Sequence, residues 1–91
     1  MPLYALICTD KPDHEDLRKA NRAAHLAYIE ETGAVVHGGP FLNAQGGMIG
    51  SLVILDLPDR AAVESWAGGD PYARAGLFGD VRIEEWKKVI G

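Results

Sequence analysis

The chain carries a single cysteine, Cys8, no surplus of positive charge, and no apolar run near the ~18 residues of a membrane span. Each shortage closes off a class of protein. One cysteine permits no intrachain disulfide and fits a reduced, cytoplasmic setting. Nine Lys and Arg stand against thirteen Asp and Glu, a net charge of -4, so the basic stripe of a nucleic-acid binder is missing. The adjacent basic pairs Arg18-Lys19 and Lys87-Lys88 are expected to be solvated. The opening MPLYALICTD has neither the basic start nor the long apolar stretch of a signal peptide, and no membrane association is expected. No Walker loop and no G-x-G-x-x-G occurs, and His14, His37 and Cys8 lack metal-ligand spacing. Neither a metal nor an organic cofactor is therefore expected.

What remains is an ordinary globular composition, 47% hydrophobic and 24% charged, which argues against disorder. A length of 91 residues favours one domain over 1–91 with a small core.

Leu3–Thr9 is a short apolar run read as a buried strand, with Cys8 inside it as a small hydrophobe. DKPD makes a turn, with Asp13 placed to cap a helix that runs to about Thr32. Leu17, Ala20, Ala24, Ala27 and Tyr28 form its apolar side, and the alanines allow close approach to a sheet. Gly33 is a natural terminator. Ala34–Leu42 reads as a second strand, irregular around its glycines and Pro40, and Asn43–Gly47 turns it into the β-branched strand Met48–Leu57. Pro58–Ala67 reads as a second helix capped by Asp59, with Ala62, Val63 and Trp66 inward. Gly68–Gly79 is irregular, with one helical turn at Tyr72–Ala75. Asp80–Ile90 reads as a fourth strand that leaves the sheet after Glu85, with Trp86, like Trp66, in the core.

The order β-α-β-β-α-β is that of an α+β, ferredoxin-like domain: a four-stranded antiparallel sheet with both helices on one face. The third strand is apolar on both sides, through Ile49, Leu52, Val53, Ile54 and Leu55. Apolar surface left in water costs about 25 cal/mol per Å², so the second face calls for cover. A second copy packed face to face supplies it, giving a homodimer of the α/β-barrel kind.

Two residues invite a chemical reading. His25 lies at the margin of the first helix's apolar stripe, in a sector shared with Arg18, Arg22 and Ile29. Either it is a buried histidine bonded to a backbone carbonyl, or it reaches a cleft, where its ordinary pKa suits proton transfer. Asp70 is held between Gly68-Gly69, which permit unusual backbone angles, and Pro71, which keeps it extended. Either it caps the turn that starts at Pro71 or it orients a histidine. Gly38-Gly39-Pro40 and Ser51, on neighbouring strands, line a pocket or form a bulge. His37 reads as a packed or edge residue.

Taken together, R-x-x-H-L-x-Y-I (Arg22–Ile29), G-G-P (Gly38–Pro40), G-S-L-V-I (Gly50–Ile54), A-A-V-E-S-W-A (Ala61–Ala67), D-P-Y-A-R-A-G-L (Asp70–Leu77) and W-K-K-V (Trp86–Val89) resemble the YciI-like family of YCII-related domains. The resemblance spans the chain and implies a ferredoxin-like domain that dimerises through its sheet. It also implies an active-site pair, here His25 and Asp70, with Arg22, Ser51, Tyr72 and Asp10 as further pocket positions. Two departures stand out: the NAQGGMI turn is shorter than in many relatives, and His37 replaces a small residue.

The expectation is a small cofactor-free enzyme using His25 and Asp70 for acid–base chemistry (proton abstraction, isomerisation or elimination) on a small oxygenated, aromatic molecule. A non-catalytic ligand-binding or assembly module and a cofactor-free oxygenase are the alternatives.

Overall fold

The computed structural model describes residues 2–91. Four strands and three helices follow in the order β1 (Leu3–Asp10), α1 (Glu15–Thr32), β2 (Val35–Leu42), β3 (Met48–Asp56), α2 (Arg60–Gly69), α3 (Pro71–Arg74) and β4 (Phe78–Trp86). The strands form one antiparallel sheet in the order β2-β3-β1-β4, the ferredoxin-like arrangement. Among the described residues, no helix is long and apolar enough to cross a membrane.

Strand alternation sorts the side chains onto two faces. Tyr4, Leu6 and Cys8 of β1 and Val53 and Leu55 of β3 point to the helix side, where they pack with Ala34, Val63 and Trp66. Trp66 is anchored twice: its indole N–H donates to Thr32 Oγ1 at 2.9 Å, and its carbonyl accepts from the Tyr28 hydroxyl at 2.8 Å. These bonds tie α2 to α1 across the core.

The helix ends follow local chemistry, with one exception. Gly33 ends α1 in the left-handed conformation and donates to Ile29 O. Asp59 caps α2 through Ala62 N at 2.8 Å. Asp13 does not cap α1 as expected. It sits at φ 59 inside the turn, which aspartate tolerates, and His14 takes the cap position without a side-chain bond.

Four further expectations need correction. Ala20, Ala24 and Ala27 face solvent, while Arg18 and His25 occupy the buried side of α1. The helix is rotated so that a mixed polar and apolar row, not the alanine row, meets the body of the protein. Gly69 has no unusual φ; α2 runs through it. Its lack of a Cβ matters instead because the Tyr28 hydroxyl passes 2.5 Å from where one would sit. β4 begins at Phe78, inside the stretch read as irregular. Trp86 is 40% exposed, on the face away from the helices with Leu3, because it pairs with Leu3 across β1–β4.

That outer face also presents Phe41 and Leu52, both substantially exposed. The second side of β3 is thus apolar through Leu52 and Ile54, of which Leu52 is exposed and Ile54 is buried within one chain.

Burial pushes the Cys8 thiol up from 9.0 to about 12. Native protein should therefore resist iodoacetamide at pH 8, and become labelled only when urea opens the fold. A thiol that ionises later in the fold than in the open chain keeps its stabilising effect below pH 9 and loses it as pH climbs toward 12. Urea titrations across that window should show falling stability that Cys8→Ala reduces.

Candidate active site

A cavity of about 350 Å³ opens between α1 and the β2–β3 half of the sheet. One wall is the row Arg18, Arg22, His25 and Ile29, at the four-three-four spacing of a single helix face. Gly38, Gly39 and Pro40 of β2, Ser51 and Val53 of β3, and Tyr72 of α3 supply much of the rest. The glycine pair lines the cavity, and the strand's irregularity lies just before it, between Val35 and His37.

His25 stands at the centre of the inward face, not at its margin. Its Nδ1 donates to Asp70 Oδ1 at 2.8 Å, with both side chains buried. A carboxylate only accepts, so the proton lies on Nδ1 and the lone pair of the neutral ring lies on Nε2. Nδ1 is turned back toward Asp70, leaving Nε2 for the cavity that the ring lines.

Asp70 is set by two neighbours in sequence. It ends α2 and begins α3, with extended backbone before Pro71 at the first helical position. Its Oδ1 accepts the Tyr72 backbone N–H at 3.0 Å as well as the His25 bond. The two roles read as rivals in the sequence, cap and histidine partner, are filled by one oxygen.

Tyr72 links this pair to a second network. Its ring stacks on His25 at 4.0 Å between centroids, and the Arg18 guanidinium lies 4.7 Å from the same ring. Arg18 is 3% exposed, contrary to the expectation that it is solvated. It donates to Asp10 through Nε at 2.7 Å and Nη2 at 2.8 Å, and through Nη2 to Ser51 Oγ at 2.9 Å. Burial disfavours the Arg18 charge, but the Asp10 carboxylate outweighs it and holds the guanidinium above its ordinary range. Burial likewise raises the Tyr72 phenol against the pull of Arg18 and Arg22, so it stays a neutral O–H at physiological pH.

Of the six expected positions, His25, Ser51, Tyr72 and Arg22 line the cavity. Asp70 and Asp10 sit one layer behind, each holding a basic residue in front of it. Arg22 is exposed. Arg18, placed in the sector of His25 by the sequence but read as solvated, is the site residue that sequence reasoning did not assign.

Asp10→Ala should cost about 3–5 kcal/mol in urea denaturation, because it strands a buried guanidinium. Adding Arg18→Met to that variant should restore much of the loss.

The YCII-related domain model matches residues 2–87. Protein YciI of Escherichia coli O6:H1 (strain CFT073) is 34% identical over 97 aligned positions, covering 97% of this chain and 99% of that protein. An uncharacterized Haemophilus influenzae protein is 32% identical over 96% of this chain and 98% of its own. Among solved structures, 5-chloro-2-hydroxyhydroquinone dehydrochlorinase from Burkholderia phenoliruptrix AC1100, in complex with 2,5-dihydroxybenzoquinone, superposes with a TM-score of 0.87. It is 35% identical, with 93% of each chain covered. An antibiotic biosynthesis monooxygenase superposes with a TM-score of 0.60 at 15% identity, over 99% of this chain and 100% of its own, a likeness of fold. On the family match and the full-length relatives together, this chain belongs to the YCII-related domain family.

Proposed function

We propose that the protein is a small acid–base enzyme acting on a hydroxylated aromatic molecule, with His25 as the proton carrier and Asp70 as its positioning residue. The 2.8 Å bond from His25 Nδ1 to Asp70, at the wall of a cavity, carries this reading. It fixes the tautomer in which Nε2 is basic, and it offsets the charge that the ring gains with a second proton. The cavity volume suits a single-ring molecule, at the small end of ligand sites. The dehydrochlorinase, similar over nearly its whole chain, supports a phenolic substrate class.

An elimination on such a ring divides into two proton movements. Nε2 takes the proton of a ring hydroxyl, and the oxygen's freed electrons form C=O as the ring electrons take a proton at the carbon bearing the leaving group. The imidazolium supplies that proton. A second hydroxyl then gives its proton to Nε2, and the halide departs with its bonding pair. The net loss is one proton and one halide. Arg18 and Arg22 donate to the oxygen anion that develops between the steps. Isomerisation is the first half of the same sequence.

The exposed outer face, with Phe41, Leu52 and Trp86, supports a homodimer through the sheet. Leu52→Glu should turn the dimer into a monomer in sedimentation or light scattering.

Chloride release from 5-chloro-2-hydroxyhydroquinone is the direct assay. His25→Gln should lower kcat/KM by about 10²–10⁴-fold with the fold intact by circular dichroism. Asp70→Asn should lower it in the same direction, with Tyr72 still capped in the helix. Unchanged turnover in His25→Gln would refute the reading, and binding without turnover in the wild type would make this a ligand-binding module.

A further inference from the structure

Glycine weakens a strand, so one placed there calls for a reason. Gly50 of β3 has one in the fold itself: a Cβ at that position would collide with Cys8 O on β1. Gly38 of β2 has no such reason. Its φ is not positive. A Cβ there would meet Val35 Cγ1 at 3.5 Å, Leu52 O at 3.7 Å and Val53 Cγ2 at 4.0 Å, all ordinary contacts. These three nearest atoms belong to the sheet, which leaves the space toward α1 open.

That space is part of the main cavity. Gly38 pairs with Val53, whose side chain lies in the core on the helix side of the sheet. Val35 pairs with Leu55, on the same side. Residues three apart in a regular strand point to opposite faces, but the irregularity between Val35 and His37 brings Val35 and Gly38 onto one. The bulge thereby cuts a notch in the cavity floor, with no side chain at Gly38 and a valine on either side. Ile29 of α1 stands on the opposite wall.

The cavity accordingly has two unlike ends. Arg18, Ser51 and His25 make the polar one. His25 is 7% exposed, and its Nε2 has no hydrogen-bond partner among the described residues. Ile29 lies four residues beyond His25, about 6 Å along the helix, and Val53 lies two residues beyond Ser51. There the walls are the side chains of Ile29, Val35 and Val53, and Leu26, 51% exposed, continues the apolar surface at the rim.

We infer that this end is an apolar subsite for a short alkyl group on the substrate ring, and that Gly38 sets the size of the group it takes. The inference rests on the acid–base reading of the same cavity and adds a substituent to the ring proposed there. An unsubstituted ring held at His25 leaves the notch unfilled, and water in it faces valine and isoleucine methyls. Alkyl carbons displace that water and gain by burial. A charged or hydroxylated substituent meets no polar side chain between Ile29, Val35 and Val53.

The test uses resorcinol and its 4-methyl, 4-ethyl and 4-propyl derivatives, which share their oxygens, differ in carbons and have no leaving group. In calorimetry on the full chain, each added carbon should tighten binding about fourfold. Gly38→Ala should cost 4-propylresorcinol about tenfold while moving resorcinol less than about twofold. Its urea midpoint should hold or rise, because alanine fits the strand and restricts the unfolded chain. Ile29→Thr, on the facing wall, should cut the gain per carbon to about twofold. Four equal affinities, an equal loss of resorcinol and 4-propylresorcinol in Gly38→Ala, a full alkyl gain kept in that variant, or no binding by any of the four would overturn the inference. The catalytic reading is judged apart from this. A His25→Gln protein that still turns over substrate sinks the His25–Asp70 pair and leaves the alkyl ranking standing, whereas a flat ranking sinks the subsite and leaves the pair.

Discussion

One carboxylate oxygen, Asp70 Oδ1, sits where the fold and the chemistry meet. It accepts from the backbone at Tyr72 and from the imidazole of His25. The first bond holds the start of α3, and with it the Tyr72 ring that stacks on the same imidazole. Buried polar groups are costly unless paired, and here each pairing supports the other. The histidine cannot turn without unstacking from Tyr72, and the aspartate cannot swing without uncapping a helix. A side chain that must be aimed is thus locked by backbone geometry, set in turn by Pro71 and by the end of α2.

Much of this could be read before any coordinates. Strand alternation, β-branched runs and the Gly33 and Asp59 signals located six of the seven elements closely. Asp70 was ambiguous because a cap and a histidine partner demand the same residue in the same place. The inward face of α1 was misread for a different reason. Hydrophobic periodicity finds the face that packs on a core, but this helix turns toward a cavity, where the inward row is Arg18, Arg22, His25 and Ile29. The alanine row was therefore the more regular pattern and the wrong one. Arg18 shared the sector of His25 but was read as solvated, as an arginine beside a lysine on a helix usually is, and only the distant partners Asp10 and Ser51 make its burial tolerable. Trp86 was misplaced because strand pairing, and not size or apolarity, decides its face.

The similar proteins divide along the same line. The antibiotic biosynthesis monooxygenase shares the architecture at low identity. The dehydrochlorinase shares the architecture and a third of the sequence. An antiparallel sheet under two helices is a frame that accepts many chemistries, and the reaction is decided by what lines the space between helix and sheet.

Helix α1 is fastened at two points seven residues apart. Arg18 grips the end of β1 and the side of β3, and His25 grips the joint between α2 and α3. Sliding the helix by one turn, about 5.4 Å, would break both attachments together. The jaw that α1 forms is consequently stiff, with a gap that does not depend on what occupies it. The opposite jaw is an edge strand, bonded on one side only and already carrying an extra residue. Substitutions there can reshape the opening without loosening the bond between His25 and Asp70, so new ligand preferences in this architecture have an inexpensive route through β2.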